Sequence, residues 1–361
     1  MRRRPVYLQG QGLACALGQT LPQCLSAWAA GATPPLQRRV LGAAVGAGEL
    51  AVAFRPLPDA QAPCDDDLDG DLDGARWLQR GLHHLERVVA EAGADRRGAL
   101  LLATSSQDIG RIERGGGWYA DGFGFPEAIA RQLGWQGPVL TVTTACTSAV
   151  NALRQAQTLV AQGEVPSALV LGVELSSRFT LSGFAALQLL AEWPEGAQVP
   201  TAGLVLGEAV AALSIGPAES RWRLCGAGHC VSGSDPAGPT GVAIGRAVQA
   251  ALNQAGWSGS EVGHIKAHAT GQPGSDVLED EWLNRLLPHR PERTRLKALL
   301  GHTQGASAAA ELALMTAGPP LPGLDADRPG LLALNLGFGG CHGALLLEDA
   351  AATARGQADA H

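Results

Sequence analysis

Cys146 stands where a β-prone run, "VLTVTT", gives way to "SAVNALRQAQTLV", whose apolar positions recur at helical spacing until Gly163. A thiol at that junction meets the unpaired N–H groups and positive dipole end of a helix, which lowers a thiol from its ordinary value of about 8.5 towards a usable thiolate. A nucleophilic sulfur also needs a base or a charge stabiliser. Two histidines offer one: His268 closes "HIKAH" before the turn Ala-Thr-Gly-Gln-Pro, and His302 closes "KALLGH" before "TQGASAAAE". Singly, each of the three is more often a structural residue. Together, each at a strand exit followed by small residues, they point to covalent catalysis through sulfur. Of the 27 basic residues only Lys266 and Lys297 are lysines, and both lie close to these histidines.

Short apolar runs alternate with helical patterns along the chain, which predicts an α/β fold with strands covered by helices. Strands are expected at 6–9, 99–103, 168–173, 203–215, 264–267, 294–298, 331–335 and 343–348. Helices are expected at 21–31, from 75 to about 93, at 126–133 and after Cys146. A break at 216–221 divides the chain into a longer and a shorter half. "TVTTACTSAVNAL" and "LKALLGHTQGASAAAELAL" are alike in kind, each a β-prone run, a small-residue turn with one reactive side chain and an alanine-rich helix. A duplicated βα unit follows as an expectation.

The composition narrows the function. A net charge of −7 with no basic stretch argues against a nucleic-acid surface. No apolar run reaches the length of a membrane span, and the basic start is followed by Gln9, Gly10, Gln11 and Gly12 rather than by an apolar core, so a cytoplasmic protein without a signal peptide is expected. Seven scattered cysteines suit free thiols in a reducing compartment. No metal is expected: "DGDLDG" ending at Gly74 starts like a calcium loop, but Arg80 occupies the twelfth position, and Cys225, His229 and Cys230 are too irregularly placed for zinc. No Gly-x-Ser-x-Gly or Gly-x-Gly-x-x-Gly stands in a strand-turn-helix context, which speaks against hydrolase and dinucleotide readings.

Over nearly its whole length the sequence resembles the β-ketoacyl-[acyl-carrier-protein] synthases of the thiolase superfamily, in their elongating Cys-His-His form. "VTTACTSAVNAL" is similar to the family's nucleophile motif, and "AHATGQPGSDVLE" to its His-Gly-Thr-Gly-Thr-Pro-x-x-Asp motif. "KALLGHTQGASAAAE" is similar to Lys-Ser-x-x-Gly-His-Thr-x-Gly-Ala-Ala with its later glutamate, and "NLGFGGCHGALLLE" to the closing Gly-Phe-Gly-Gly motif.

The resemblance implies a five-layered α-β-α-β-α fold of two pseudo-repeated halves, residues 1–218 carrying the nucleophile and 219–350 both histidines, with a flexible tail at 351–361. It implies that Cys146 takes an acyl group from an acyl carrier protein, and that His268 and His302 then stabilise the charge developed as malonyl-carrier loses CO₂ and condenses with it. Lys297 and Glu311 would pair behind His302 and orient it. The backbone of Phe338, with Gly337, Gly339 and Gly340, would form the oxyanion hole and gate, and Thr270, Gln272 and Leu336 would contact the pantetheine arm or acyl chain. Gln272, Ala269, Leu336 and Cys341-His342 depart from the family pattern, and the segment around 189–209 is contracted, which implies a trimmed cap and altered pocket. No cofactor is implied beyond the carrier's pantetheine arm. The implied partners are the carrier protein and a second subunit, in a homodimer or a heterodimer with a related ketosynthase-like chain, meeting along the strand before Cys146. Fatty acid, polyketide and aryl polyene synthesis all fit. The alternatives are a non-catalytic partner like a chain length factor, or an acyltransferase or decarboxylase on the same scaffold.

Overall fold

A computed structural model describes residues 4–42, 50–58, 74–117, 124–233 and 238–353. The first half runs β1 (Tyr7–Cys15), α1 (Leu21–Ala29), β2 (Gln37–Leu41), β3 (Leu50–Arg55), α2 (Gly74–Glu91), β4 (Ala99–Ala103) and α3 (Ile109–Ile112). It continues with α4 (Phe125–Gln132), β5 (Val139–Val142), α5 (Ser148–Gln162), β6 (Ala168–Glu174), α6 (Arg178–Ala186), β7 (Leu206–Gly207) and β8 (Ala209–Gly216). The second half adds β9 (Trp222–Val231), α7 (Gly241–Ala255), β10 (Val262–Lys266), α8 (Pro273–Leu286), β11 (Glu292–Thr294), α9 (Lys297–Leu300), α10 (Ser307–Ala317), β12 (Gly330–Gly337) and β13 (Cys341–Asp349).

Ten strands form one sheet in the order β11-β10-β12-β13-β9-β1-β8-β6-β4-β5. β1 pairs along its length with β8 but meets β9 only at Tyr7–Arg223 and Leu8–Trp222, so the sheet is two five-stranded halves joined at a narrow seam. The halves repeat one pattern. In each, a central strand (β4 or β10) has parallel neighbours on both sides, and the next two pairings outward are antiparallel.

Burial explains the layering. β4 reads "ALLLA" and β6 "ALVLGVE" with every residue buried, as strands covered on both faces require. α5 and α10 lie between the two half-sheets, where Val150, Leu153, Ala309 and Ala313 share a core with Leu101 and Val170 of one half and Leu331 and Leu345 of the other. α2 and α4 cover the outer face of the first half, and α7 and α8 that of the second. This is the expected five-layered α-β-α-β-α arrangement. α10 is almost wholly buried, and Gly172 of β6 lets it approach: a Cβ there would lie 3.0 Å from Cα of Ala306 and Cβ of Ala309.

Two expected strands are corrected. The run 203–215 divides at the buried Glu208, so that β7 joins the small sheet β2-β3-β7 while β8 joins the large one. The run 294–298 also divides: β11 ends at Thr294, and Lys297 begins the helical turn α9, since "KALL" offers no β-branched residue to hold an extended backbone. The acidic stretch 69–73 and the tail from 354 lie outside the described residues. Arg80 binds Glu208 through two bonds of 2.7 Å, and Glu208 also accepts the N–H groups of Leu57 and Ser176, so this ion pair fixes the segment that crosses the site. Among the described residues, no helix is long and apolar enough to cross a membrane.

Candidate active site

The nucleophile turn is built between β5 and α5. Ala145 has φ +50°, a left-handed conformation that alanine rarely adopts, and it swings Cys146 to the position just ahead of the helix cap, Thr147. Ser148 ties the turn together: its hydroxyl accepts Thr144 N–H at 2.9 Å and donates to the Ala145 carbonyl at 2.7 Å.

His302 follows α9 and Gly301. Its backbone N–H donates to Val205 at 2.7 Å, and its carbonyl accepts from Gly207 at 3.2 Å, so β7 holds it in register. Its Nε2 lies 2.9 Å from Cys146 Sγ. Thr303 donates to the Ser307 hydroxyl at 3.3 Å, and Ser307 lies 3.2 Å from His302 Nδ1. That run of donors leaves the Ser307 proton for Nδ1 and assigns the imidazole proton to Nε2, facing the sulfur.

His268 lies just past β10, its ring 5.4 Å from that of His302 and nearly perpendicular to it. Two carboxylates of α8 hold its loop. Glu279 accepts the N–H groups of His268 and Ala269 at 2.6 and 2.9 Å, and Asp276 those of Thr270 and Gly271 at 3.0 Å each. Ala269, at φ +37°, depends on that clamp.

A cavity of about 60 Å³ opens between the halves, lined by Cys146, His268, His302, Thr270, Gln272, Leu336, Gly337 and Phe338, and walled by Phe184, Leu189 and Leu204. The Phe338 backbone N–H faces the Cys146 sulfur. Gly337 packs against the nucleophile turn: a Cβ on it would lie 3.4 Å from the nitrogen of Cys146, an ordinary contact. Gly339 does not line the cavity; at φ +76° it shapes the turn beyond Phe338. Gln272 donates its side-chain amide to the Leu189 carbonyl, closing one rim of the opening.

Electrostatics correct one expectation. Burial pushes the Cys146 thiol up to about 12; Lys297 and the backbone N–H groups of Phe338 and Cys146 pull it down and Glu174 raises it. At 5% exposure, desolvation outweighs the helix dipole, so the resting sulfur is a thiol. Both histidines are held well below their ordinary value, by burial first and by the Lys297 charge second, and are neutral.

Lys297 and Glu311 pair at 2.6 Å, but neither bonds to His302, whose Nδ1 partner is Ser307. Glu311 binds Lys266 through its other oxygen, also at 2.6 Å. Burial pushes Lys266 down to about 8. Sequence reasoning missed Glu174, which accepts from Thr104 and Ser106 in the first half and from Gly305 beside His302 in the second. It also missed Glu279, Ser307 and Asn335. Lys266 was marked by its rarity alone.

Two half-sheets around two central helices, with a thiol and two imidazoles at their meeting point, form an arrangement that solved ketosynthases share. A chain of the ketosynthase in complex with its chain length factor from Xenorhabdus doucetiae superposes with a TM-score of 0.75 at 22% identity, over 96% of this chain and 98% of that one. A β-ketoacyl synthase from Burkholderia phymatum gives 0.72 at 22%, over 97% and 100%. The family models "Beta-ketoacyl synthase, N-terminal domain" and "Beta-ketoacyl synthase, C-terminal domain" match residues 73–220 and 226–317. The chain belongs to the β-ketoacyl synthase family, a family of acyltransferase enzymes. Among curated relatives, 3-oxoacyl-[acyl-carrier-protein] synthase 2 of Mycobacterium leprae is 32% identical over 193 residues, 48% of this chain and 46% of that protein. The Vibrio cholerae protein of the same name is 25% identical over 320 residues, 73% and 76% of the two chains. The chain thus spans about half of the first relative's length.

Proposed function

We propose that this protein is an elongating ketosynthase that condenses an acyl group held on Cys146 with a malonyl unit delivered by an acyl carrier protein. The observation that carries the reading is the 2.9 Å approach of His302 Nε2 to Cys146 Sγ at a largely apolar cavity shared with His268.

In the first step the Cys146 sulfur attacks the carbonyl carbon of an acyl-pantetheine thioester. The acyl group moves to Cys146, and the pantetheine sulfur leaves with the thiol proton. His302 Nε2–H stabilises charge on the attacking sulfur, and the backbone N–H groups of Cys146 and Phe338 receive the developing oxyanion. In the second step His268 and His302 donate to the malonyl thioester oxygen. The carboxylate departs as CO₂, the resulting carbanion attacks the Cys146 thioester, and the Cys146 sulfur leaves and takes a proton from solvent. Neutral imidazoles can do this work, since each still presents one N–H. The carrier's pantetheine arm fits the rim of Thr270, Gln272 and Leu336, and the acyl class we propose is a fatty-acid or polyketide-type chain, aryl polyenes included.

Intact-mass measurement with a panel of acyl carrier proteins tests the reading. Acylation of the wild type, its loss in Cys146→Ala and a ketoacyl product with malonyl-carrier are expected. Product formed only with a sister subunit would favour the partner-subunit reading, and acyl transfer without a new carbon–carbon bond would refute condensation.

A further inference from the structure

Lys266 ends β10 at full burial, and its ammonium reaches two acceptors at 2.6 Å: Oε2 of Glu311 and Oδ1 of Asn335. Asn335, in β12 and also fully buried, donates Nδ2–H to the carbonyl of Cys146 at 3.2 Å. With Lys297 on the other oxygen of Glu311, both lysines of the sequence belong to one buried chain that ends on the nucleophile's own backbone. Neither Lys266 nor Asn335 lines the cavity, so this chain acts on the thiol from behind.

The bond from Asn335 answers a specific need. Cys146 lies ahead of the cap residue, and the first helical N–H to reach back, that of Asn151, bonds to Thr147. The Cys146 carbonyl therefore has no helical donor, and the preceding residue carries the left-handed backbone of Ala145. Such a conformation persists where the surroundings over-determine it.

We propose that Lys266 and Asn335 are positioning residues for the nucleophile, which fix the Cys146 carbonyl and thereby hold Sγ beside His302 Nε2. The inference rests on Cys146 being the acylated thiol. Lys266 orients the Asn335 amide by occupying its oxygen, leaving only the NH₂ group to face Cys146. Asn335→Asp separates the two bonds. The carboxylate still accepts from Lys266 but presents no donor to the Cys146 carbonyl.

The test uses the full chain and two readouts. Alkylation by iodoacetamide is followed on the Cys146 peptide, with the half-buried Cys341 as an internal monitor of unfolding, and acyl transfer is measured for kcat and KM. Losing a hydrogen bond of ordinary strength corresponds to about tenfold in rate. Asn335→Asp, Asn335→Ala and Lys266→Met are expected to slow Cys146 alkylation by about that factor and lower kcat similarly, with KM for the carrier and Cys341 alkylation unchanged. Cys146 alkylation in Asn335→Asp within twofold of wild type, or a parallel rise at Cys146 and Cys341, would overturn the proposal. A wild-type chain that alkylates at Cys146 yet accepts no acyl group would instead refute the functional reading, leaving the alkylation comparison in force.

Discussion

Gly207 stands so close to Leu300 that a β-carbon on it would lie 2.2 Å from the Leu300 carbonyl oxygen. The same glycine donates its N–H to the His302 carbonyl, and Val205 accepts the His302 N–H, so the segment crossing the cavity and the loop bearing the histidine are paired through their backbones. Gly207→Ala therefore forces Leu300 and Gly301, the residues that lead into His302, to shift. Overpacking of this kind costs about 1–3 kcal/mol. We expect a modest fall in melting temperature and a fall in acyl-transfer rate of at least about tenfold, read by thermal unfolding and by intact-mass kinetics on one preparation.

Replacing His302 or His268 by alanine removes a donor aimed at the developing charge. Each change should lower the condensation rate by about a hundredfold or more. His302→Ala should also slow acylation of Cys146, since His302 Nε2 is the imidazole nitrogen at the sulfur, whereas His268→Ala should leave that first step within a few fold of wild type. Single-turnover acylation and condensation rates separate the two. Equal effects on both steps would contradict the division of labour.

Glu279→Gln tests the α8 clamp. The carboxylate accepts two backbone N–H groups, and an amide must turn its NH₂ towards one of them. The loop would then release His268 from its position. We expect kcat to fall about tenfold with KM for the carrier little changed, as steady-state kinetics will show.

The ion pair of Arg80 and Glu208 supports the same region from outside the cavity. Arg80→Ala would strand a buried carboxylate, at a cost of about 3–5 kcal/mol. Arg80→Met with Glu208→Gln, whose neutral amide oxygen still accepts one of the two backbone N–H groups, should recover part of the loss, measured by denaturant unfolding.

Two pH effects follow. The folded-state values of His268 and His302 lie below their ordinary value, so the unfolded chain binds more protons, and stability should decline as pH falls below about 6.5. Glu208, held at about 2 chiefly by Arg80 against the raising effect of burial, contributes stability that is present above its ordinary value and lost as pH falls from about 4.5 towards 2. Chemical denaturation across this range should show both losses. Activity should stay level down to about pH 6 where the protein remains folded, because imidazoles held well below their ordinary value take up no proton there.

How much of this was legible beforehand depended on distance along the chain. Cys146, His268 and His302 announce themselves because a reactive side chain beside small residues is a local pattern. The layered fold was readable for a similar reason, since strands buried on both faces are continuous apolar runs. Glu174, Ser307 and Asn335 carry no local mark, and each acquires its role only when segments far apart in sequence meet. Lys266 was conspicuous for its type, but its partners are remote. The resting charge of Cys146 was misread because helix placement is local while desolvation is a property of the whole site.

Ala309 and Gly172 meet where α10 presses on β6, a few residues beyond His302 along the chain. The smallest side chains thus serve as the shim that sets the gap between one half's sheet and the other half's reactive ring. Chemical precision here is a matter of spacing, and a single added methyl group at this shim would change the reach between imidazole and sulfur without altering either.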